Sequence, residues 1–171
     1  ADDTKSRNSD LLKTKEKFNT FYQIIGKTWG AFVKYLKNQL EVKSQGVDTT
    51  IFGTFVKDDD EKVVFYPSPE FLEAGKFRLM RETLKEKGSQ DYKEYYASKV
   101  GLDSETSNVR AVNFAALAMV VGIKADLSKQ YLSDLFACLI ETNRKLQKEV
   151  KLNLSTVGCL QLFRNGELSL C

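Results

Sequence analysis

Between residues 51 and 72 the chain reads IFGTFVKDDDEKVVFYPSPEFL, and no other stretch narrows its possible folds as far. Residues 51–56 and 63–66 are rich in β-branched and aromatic side chains, while 57–62 hold almost nothing but charge. That pattern predicts a β-hairpin with a short acidic arm. Gly53, inside the first strand, marks a bulge or another backbone passing close by. Ser68 as N-cap and Pro69 at a first helical position set the point where the hairpin hands over to a helix.

The segments before the hairpin read as helices. Residues 1–9 are polar, as in a frayed terminus. Asp10 can cap a helix to about Ile25, with Leu11, Phe18, Tyr22 and Ile25 at helical spacing. Gly26 interrupts, and Thr28 can cap a second helix, in which Trp29, Phe32, Val33, Leu36 and Leu40 form one apolar stripe. Such a stripe is most simply core; a ligand-binding role for Trp29 is the lesser alternative. Ser44-Gln45-Gly46 ends that helix, and beyond the hairpin a third carries Phe71, Leu72, Phe77, Leu79, Met80 and Leu84 up to Gly88. The order is helix, helix, hairpin, helix.

Residues 89–108 are a polar connection with one helical piece over 92–100. Its Tyr92, Tyr95 and Tyr96 could stack on a base, but few basic residues surround them, which favours packing on a neighbouring surface. From Asn113 the order begins again: an apolar helix interrupted at Gly122, then one capped by Ser128, then a strand over 150–154. Thr156-Val157-Gly158-Cys159-Leu160 answers Phe52-Gly53-Thr54-Phe55, and Leu135, Cys138, Leu139 and Leu146 answer Trp29, Phe32, Val33 and Leu40. This is an internal repeat. Asn165-Gly166 can supply the two positive φ angles of a type I′ turn, with the arm essentially absent. The expected division is a first repeat over 1–88, a linker over 89–108 and a second repeat over 109–171. That second repeat lacks its last helix, as a piece of a longer protein would.

Composition bounds the chemistry. A chain of 171 residues that is 42% hydrophobic and 29% charged can bury a core. It has no apolar run of bilayer length, and residues 1–17 are too charged for a signal peptide. The chain reads as soluble and intracellular. Cys138, Cys159 and Cys171 show no metal-ligand or paired spacing, and Cys138 is expected in the core. The absence of histidine removes Ser-His-Asp, Cys-His and zinc-hydrolase chemistry. Neither GxxxxGK[ST] nor GxGxxG occurs. Asp58, Asp59, Asp60 and Glu61 lack the alternating spacing and distal Glu of a calcium loop, and read as a solvated turn. No catalytic residue, cofactor or metal is expected.

Two segments carry a family resemblance. Phe52-Gly53-Thr54-Phe55 resembles the Gly-Phe-Gly-Thr-Phe strand of the bacterial HU/IHF histone-like proteins, and residues 69–76, PEFLEAGK, resemble the opening of their last helix. Asn113, Leu117, Val120, Lys124, Leu127, Ser128 and Lys129 fall where those proteins carry the same or similar residues. A tandem pair of this kind resembles the eukaryotic coiled-coil-domain-containing protein 81 family, over roughly residues 28–170. The resemblance implies an α+β fold of two HU/IHF-like repeats, packed as a pseudo-twofold dimer within one chain. In that arrangement Trp29, Phe32, Leu36, Phe52, Gly53, Phe55, Leu117, Leu135, Leu139 and Gly158 form the core and the repeat interface.

The same resemblance implies association with centrosomes, basal bodies or cilia, hence a location in the cytoplasm and cytoskeleton. It supplies no catalytic residue. The departure from the DNA-binding members bears equally on function. They embrace the duplex with long basic arms and wedge a proline into the minor groove. Here residues 56–62 are short, hold two lysines against four acids and contain no proline. The net charge is only +3, far from the basic excess that phosphate neutralisation needs. Two readings stand: a protein-interaction module of a cytoskeletal or ciliary assembly, and a nucleic-acid-binding architectural protein using some surface other than the arm. An enzyme or small-ligand protein is the third. DNA and membrane are not expected partners; protein partners are.

Overall fold

The computed structural model of the chain describes residues 2–101 and 107–170, so part of the predicted linker, and Cys171, lie outside the described residues. These residues form an α+β fold of six α-helices and two small sheets. The order is α1 (Asp2–Lys37), β1 (Gly46–Asp48), β2 (Gly53–Lys57), β3 (Val63–Pro67), α2 (Pro69–Gly75), α3 (Arg81–Lys87) and α4 (Tyr92–Val100). Then follow β4 (Val109–Ala111), α5 (Phe114–Val121), α6 (Ala125–Lys145), β5 (Val150–Asn153), β6 (Cys159–Leu162) and β7 (Leu168–Leu170).

The first sheet has the order β3-β2-β1-β4, antiparallel except that β4 runs parallel to β1. Neither β1 nor β4 is legible as a strand in the sequence. Each is three residues long; β1 is held on both sides, by β2 and by β4, and β4 by β1 alone. The pairing also carries the first sheet across residue 108, where the sequence places the start of the second repeat.

The second sheet, β5-β6-β7, repeats the first pair by pair with every position 105 residues on. Val47 lies opposite Phe55 and Leu152 opposite Leu160; Phe55 lies opposite Phe65 and Leu160 opposite Leu170. The backbone repeats as well. Asp48 Oδ1 accepts from Thr50 N and Asn153 Oδ1 from Ser155 N, at 2.9 and 2.8 Å. Thr50 and Ser155 sit at φ 59° and 58°, Gly53 and Gly158 at 152° and 143°. A side chain at Gly53 would bring its Cβ within 2.3 Å of the Tyr66 carbonyl oxygen, the close approach that glycine permits.

Both hairpins also turn alike. Glu61 N donates to Asp58 O and Gly166 N to Phe163 O, while Asp58 N and Phe163 N donate across to Lys62 O and Glu167 O. Each is a three-residue loop ending in a left-handed residue, Glu61 at φ 61° and Gly166 at 84°. The expected type I′ turn at Asn165-Gly166 is therefore absent. Asn165 keeps a negative φ and its side chain accepts from Glu167 N at 3.0 Å instead.

Four helical expectations are also corrected. The break at Gly26 does not occur: α1 runs from Asp2 to Lys37 and includes the segment expected to fray. Thr28 caps nothing, because its Oγ1 donates to Ile24 O at 2.7 Å within a continuous helix. The third helix is two, α2 and α3, since Lys76 adopts a left-handed conformation and closes α2 with its N–H on Glu73 O and Leu72 O. Ser128 lies inside the first turns of α6, donating to Phe114 O and Ala125 O at 2.9 and 2.8 Å, so it ties α5 to α6 rather than starting a helix. Ser68 does cap, accepting from Phe71 N, and Asn113, not marked as a cap in the sequence, accepts from Ala116 N at the start of α5.

One apolar core spans both halves. Phe32, Leu36, Leu40, Phe52, Phe55, Phe71 and Phe77 join Leu117, Leu132, Phe136, Leu154, Leu160 and Leu162 in a single cluster. Its burial is the main stabilising term for the fold. Polar contacts pin its rim: Tyr35 Oη accepts from Asn113 N at 3.2 Å, Glu41 Oε1 from Thr156 Oγ1 at 2.6 Å, and Asn165 O from the Arg78 guanidinium at 2.6 Å.

Candidate interaction surfaces

The residues expected in the core and repeat interface divide into three groups. Phe32, Leu36, Phe52, Gly53, Phe55 and Leu117 are buried. Trp29 and Leu139 are half-buried and pack against the core from its edge, and Gly158 is half-buried on the second sheet. Leu135 is half-buried and is not among the residues packed on the core, while Cys138, expected inside, is exposed.

The reason lies in α6, which carries two apolar stripes. Leu127, Tyr131, Leu135 and Cys138 run along one side; Ser128, Leu132, Phe136 and Asn143 run along the other, and only the latter are buried. The i, i+4 spacing of Leu132 and Phe136, continued by Leu139, Ile140 and Asn143, is the signal that marks this face. Buried Asn143 is satisfied there: its Nδ2 donates to Lys148 O and Phe163 O at 2.9 and 3.0 Å, fastening α6 to the second sheet.

α1 presents a long open surface. Thirty-six residues span about 54 Å at the α-helical rise, and every residue from Thr4 to Gln23 is exposed. Leu11, Phe18 and Tyr22 are 67%, 57% and 61% accessible. They continue, at spacings of seven, four, three and four, the face on which Ile25 and then Trp29 stand. Phe32, Leu36 and Leu40 extend that face into the core. One stripe is thus core at one end and bare at the other. Phe18 and Tyr22 touch edge to face at 5.0 Å, and Phe21 reaches Tyr131 of α6 at 5.6 Å.

The tyrosines of α4 form the second feature. Tyr95 and Tyr96 are buried. Tyr96 Oη shares a hydrogen bond with Thr54 Oγ1 at 2.7 Å, and Tyr92 Oη donates to Pro67 O, so α4 is clamped onto β2 and β3. Burial pushes the hydroxyl pKa values of Tyr66, Tyr92, Tyr95 and Tyr96 above the ordinary tyrosine value. Packing, rather than base stacking, is what holds these rings. Beside them Glu86 pairs with Lys99, which holds the carboxyl below its usual range.

The acidic tip, Asp58 to Glu61, is solvent-exposed, and Asp58 Oδ1 spends its hydrogen-bonding capacity on Asp60 N and Lys62 N. Among the described residues no group of three His, Cys, Asp or Glu side chains is placed to hold a metal ion, and no helix is long and apolar enough to cross a membrane. Comparison of the chain with protein-family models and with curated proteins finds no match.

Proposed function

We propose that this chain is a non-catalytic structural module, built as two HU/IHF-like repeats packed as a pseudo-twofold dimer, that binds proteins in a centrosomal, basal-body or ciliary, microtubule-associated assembly. The pairing of the two sheets at a constant offset of 105 residues supports the duplication. The single core supports mutual cover between the halves, since a thin sheet needs a second face to lie on. The location rests on the resemblance described for the sequence.

The observation that carries the interaction reading is the bare end of the α1 stripe. A contiguous apolar face of this kind on an isolated helix is a contact surface rather than a stable solvent boundary. Its fitting occupant is an amphipathic helix of a partner protein, because Leu11, Phe18 and Ile25 recur every seven residues as in a helix-on-helix seam. The nucleic-acid alternative is opposed by the four carboxylates at the hairpin tip.

The test is capture from ciliated cells by the intact chain and by a Leu11→Asp, Phe18→Asp variant with an unchanged melting temperature. A defined set of cytoskeletal proteins retained by the first and lost by the second is the expected result. Equal capture by both, or duplex DNA as the main ligand, overturns the reading.

A further inference from the structure

The two sheets come together at their last strands, and one edge is open. Asp58 N donates to Lys62 O and Ser68 N to Phe52 O, at 2.9 and 3.0 Å. Since bonded and non-bonded pairs alternate along an antiparallel ladder, Val64 and Tyr66 direct their main-chain groups to β2, and Val63 and Phe65 direct theirs outward. Those outward groups meet no strand: β3 is the edge of its sheet. The start of the outer edge of β7 is closed by Arg78, whose N–H donates to Gly166 O at 2.8 Å. The open run is therefore that of β3.

Along this edge lies a cleft of about 320 Å³, walled by β3, by Leu79 and Met80, and by Leu168 and Leu170. Its charged lining residues are two carboxylates, Glu82 and Glu86, with no lysine or arginine. Tyr95, 2% exposed, also lines it, and its hydroxyl makes no hydrogen bond of full geometry among the described residues, its one weak interaction being with the Glu86 carboxylate beside it. A buried hydroxyl so weakly satisfied costs stability unless a better partner fills the role.

We infer that this cleft binds an extended segment of a partner protein by strand addition to the open edge of β3, with a Lys or Arg of that segment laid across it toward Glu82 and Glu86. Main-chain groups of the added strand meet Val63 and Phe65, and side chains of alternate residues supply the specificity. The aliphatic stem of the basic residue lies on Leu79 and Met80 while its head meets the carboxylates. A carbonyl of the segment accepts from Tyr95. Lys99 already pairs with Glu86, but both groups are substantially exposed, and such a pair is readily exchanged. The inference deepens the interaction-module reading and rests on it, while using a surface distinct from α1.

The experiment is fluorescence anisotropy on the intact chain with labelled seven-residue peptides alternating valine with lysine or arginine. Two counterparts serve as controls, one with glutamate in place of the basic residues and one N-methylated along one edge of its backbone. Saturable binding of the basic peptides is expected, weaker by about tenfold for a Glu82→Gln, Glu86→Gln protein, the loss of roughly one charge-assisted contact. Tyr95→Phe and Val63→Pro should weaken it similarly; the latter removes an outward N–H without touching a bond to β2. The N-methylated peptide, which leaves the protein unaltered, should not bind. Equal binding of the acidic or N-methylated peptides, or no saturation by any basic peptide, overturns the inference. Partners captured through Leu11 and Phe18 whose binding ignores Val63→Pro and Tyr95→Phe leave the module reading intact and overturn this one.

Discussion

Phe52 and Phe136 stack with ring centroids 3.9 Å apart and planes inclined by 18°. One ring enters from the start of the first hairpin and the other from α6, so the contact joins the two halves of the chain within their shared core. Phe136→Ala should cost about 3–5 kcal/mol, by lost transfer energy and the cavity left behind. Trp29→Ala, on the rim, should cost less. Urea unfolding of both variants measures the order, and a costlier Trp29 would contradict the assignment of the core centre.

The same contact makes the halves interdependent. A fragment of residues 1–88 loses Phe136, Leu132 and Leu117 from around Phe32 and Phe52 and exposes a large apolar face. It should be molten or self-associated on size exclusion and lack a cooperative melt. A monomeric fragment melting near the midpoint of the whole chain would show that the repeats do not cover each other.

Glycines separate into two classes. Gly53→Ala should destabilise by at least about 2 kcal/mol, because its φ of 152° and the 2.3 Å approach to Tyr66 O leave no room for a Cβ. Gly26→Ala and Gly30→Ala meet nothing within 4 Å and should each stabilise α1 by about 0.5–1 kcal/mol. Thermal melts of the three variants check both signs at once.

Stability should fall at high pH. Burial raises the folded pKa values of Tyr92 and Tyr96 above the ordinary tyrosine value, so the unfolded chain loses protons first. Their contribution is whole below pH 10 and is lost as pH rises beyond it. Urea midpoints measured from pH 8 to above pH 11 should drop, and Tyr92→Phe with Tyr96→Phe should flatten the drop. An unchanged slope would mean that these hydroxyls ionise as readily in the folded chain as in the unfolded one.

Duplex DNA should not bind appreciably at physiological salt. Non-specific affinities are roughly 10⁻⁴–10⁻⁶ M even for basic proteins, and this chain carries a net charge of +3 with four acids at the hairpin tip. Anisotropy titrations with bent and linear duplexes test this. Sub-micromolar binding that weakens with salt and strengthens when Asp58 to Glu61 become lysines would favour the architectural alternative.

What was legible in the sequence is what short-range forces decide. The hairpin of β2 and β3 follows from β-branched and aromatic runs around a charged tip, and Ser68, Pro69 and Asn113 set helix starts through their own hydrogen bonds and φ preferences. Gly53 and Gly158 marked matching positions of the two sheets because a backbone at positive φ, crowded at Gly53 by Tyr66 O, admits little else. The stretch over α4 was legible as a helix for the same local reasons.

Tertiary structure decided what depends on distant partners. Spacing within α6 offers both the stripe of Leu135 and Cys138 and the more continuous one of Leu132 and Phe136; which is buried is decided by Phe52 and Phe71, which sit more than sixty residues away and cover only one side. Gly26 breaks a helix by weak propensity, about 1 kcal/mol, and in α1 the unbroken ladder of backbone bonds prevails. β4 is a strand only because it finds β1, and β1 because it finds β2 and β4. The open edge of β3 and the weakly satisfied hydroxyl of Tyr95 arise where the two sheets meet, a juxtaposition that no local pattern encodes because hydrophobic burial, being non-directional, fixes it only when the whole core closes.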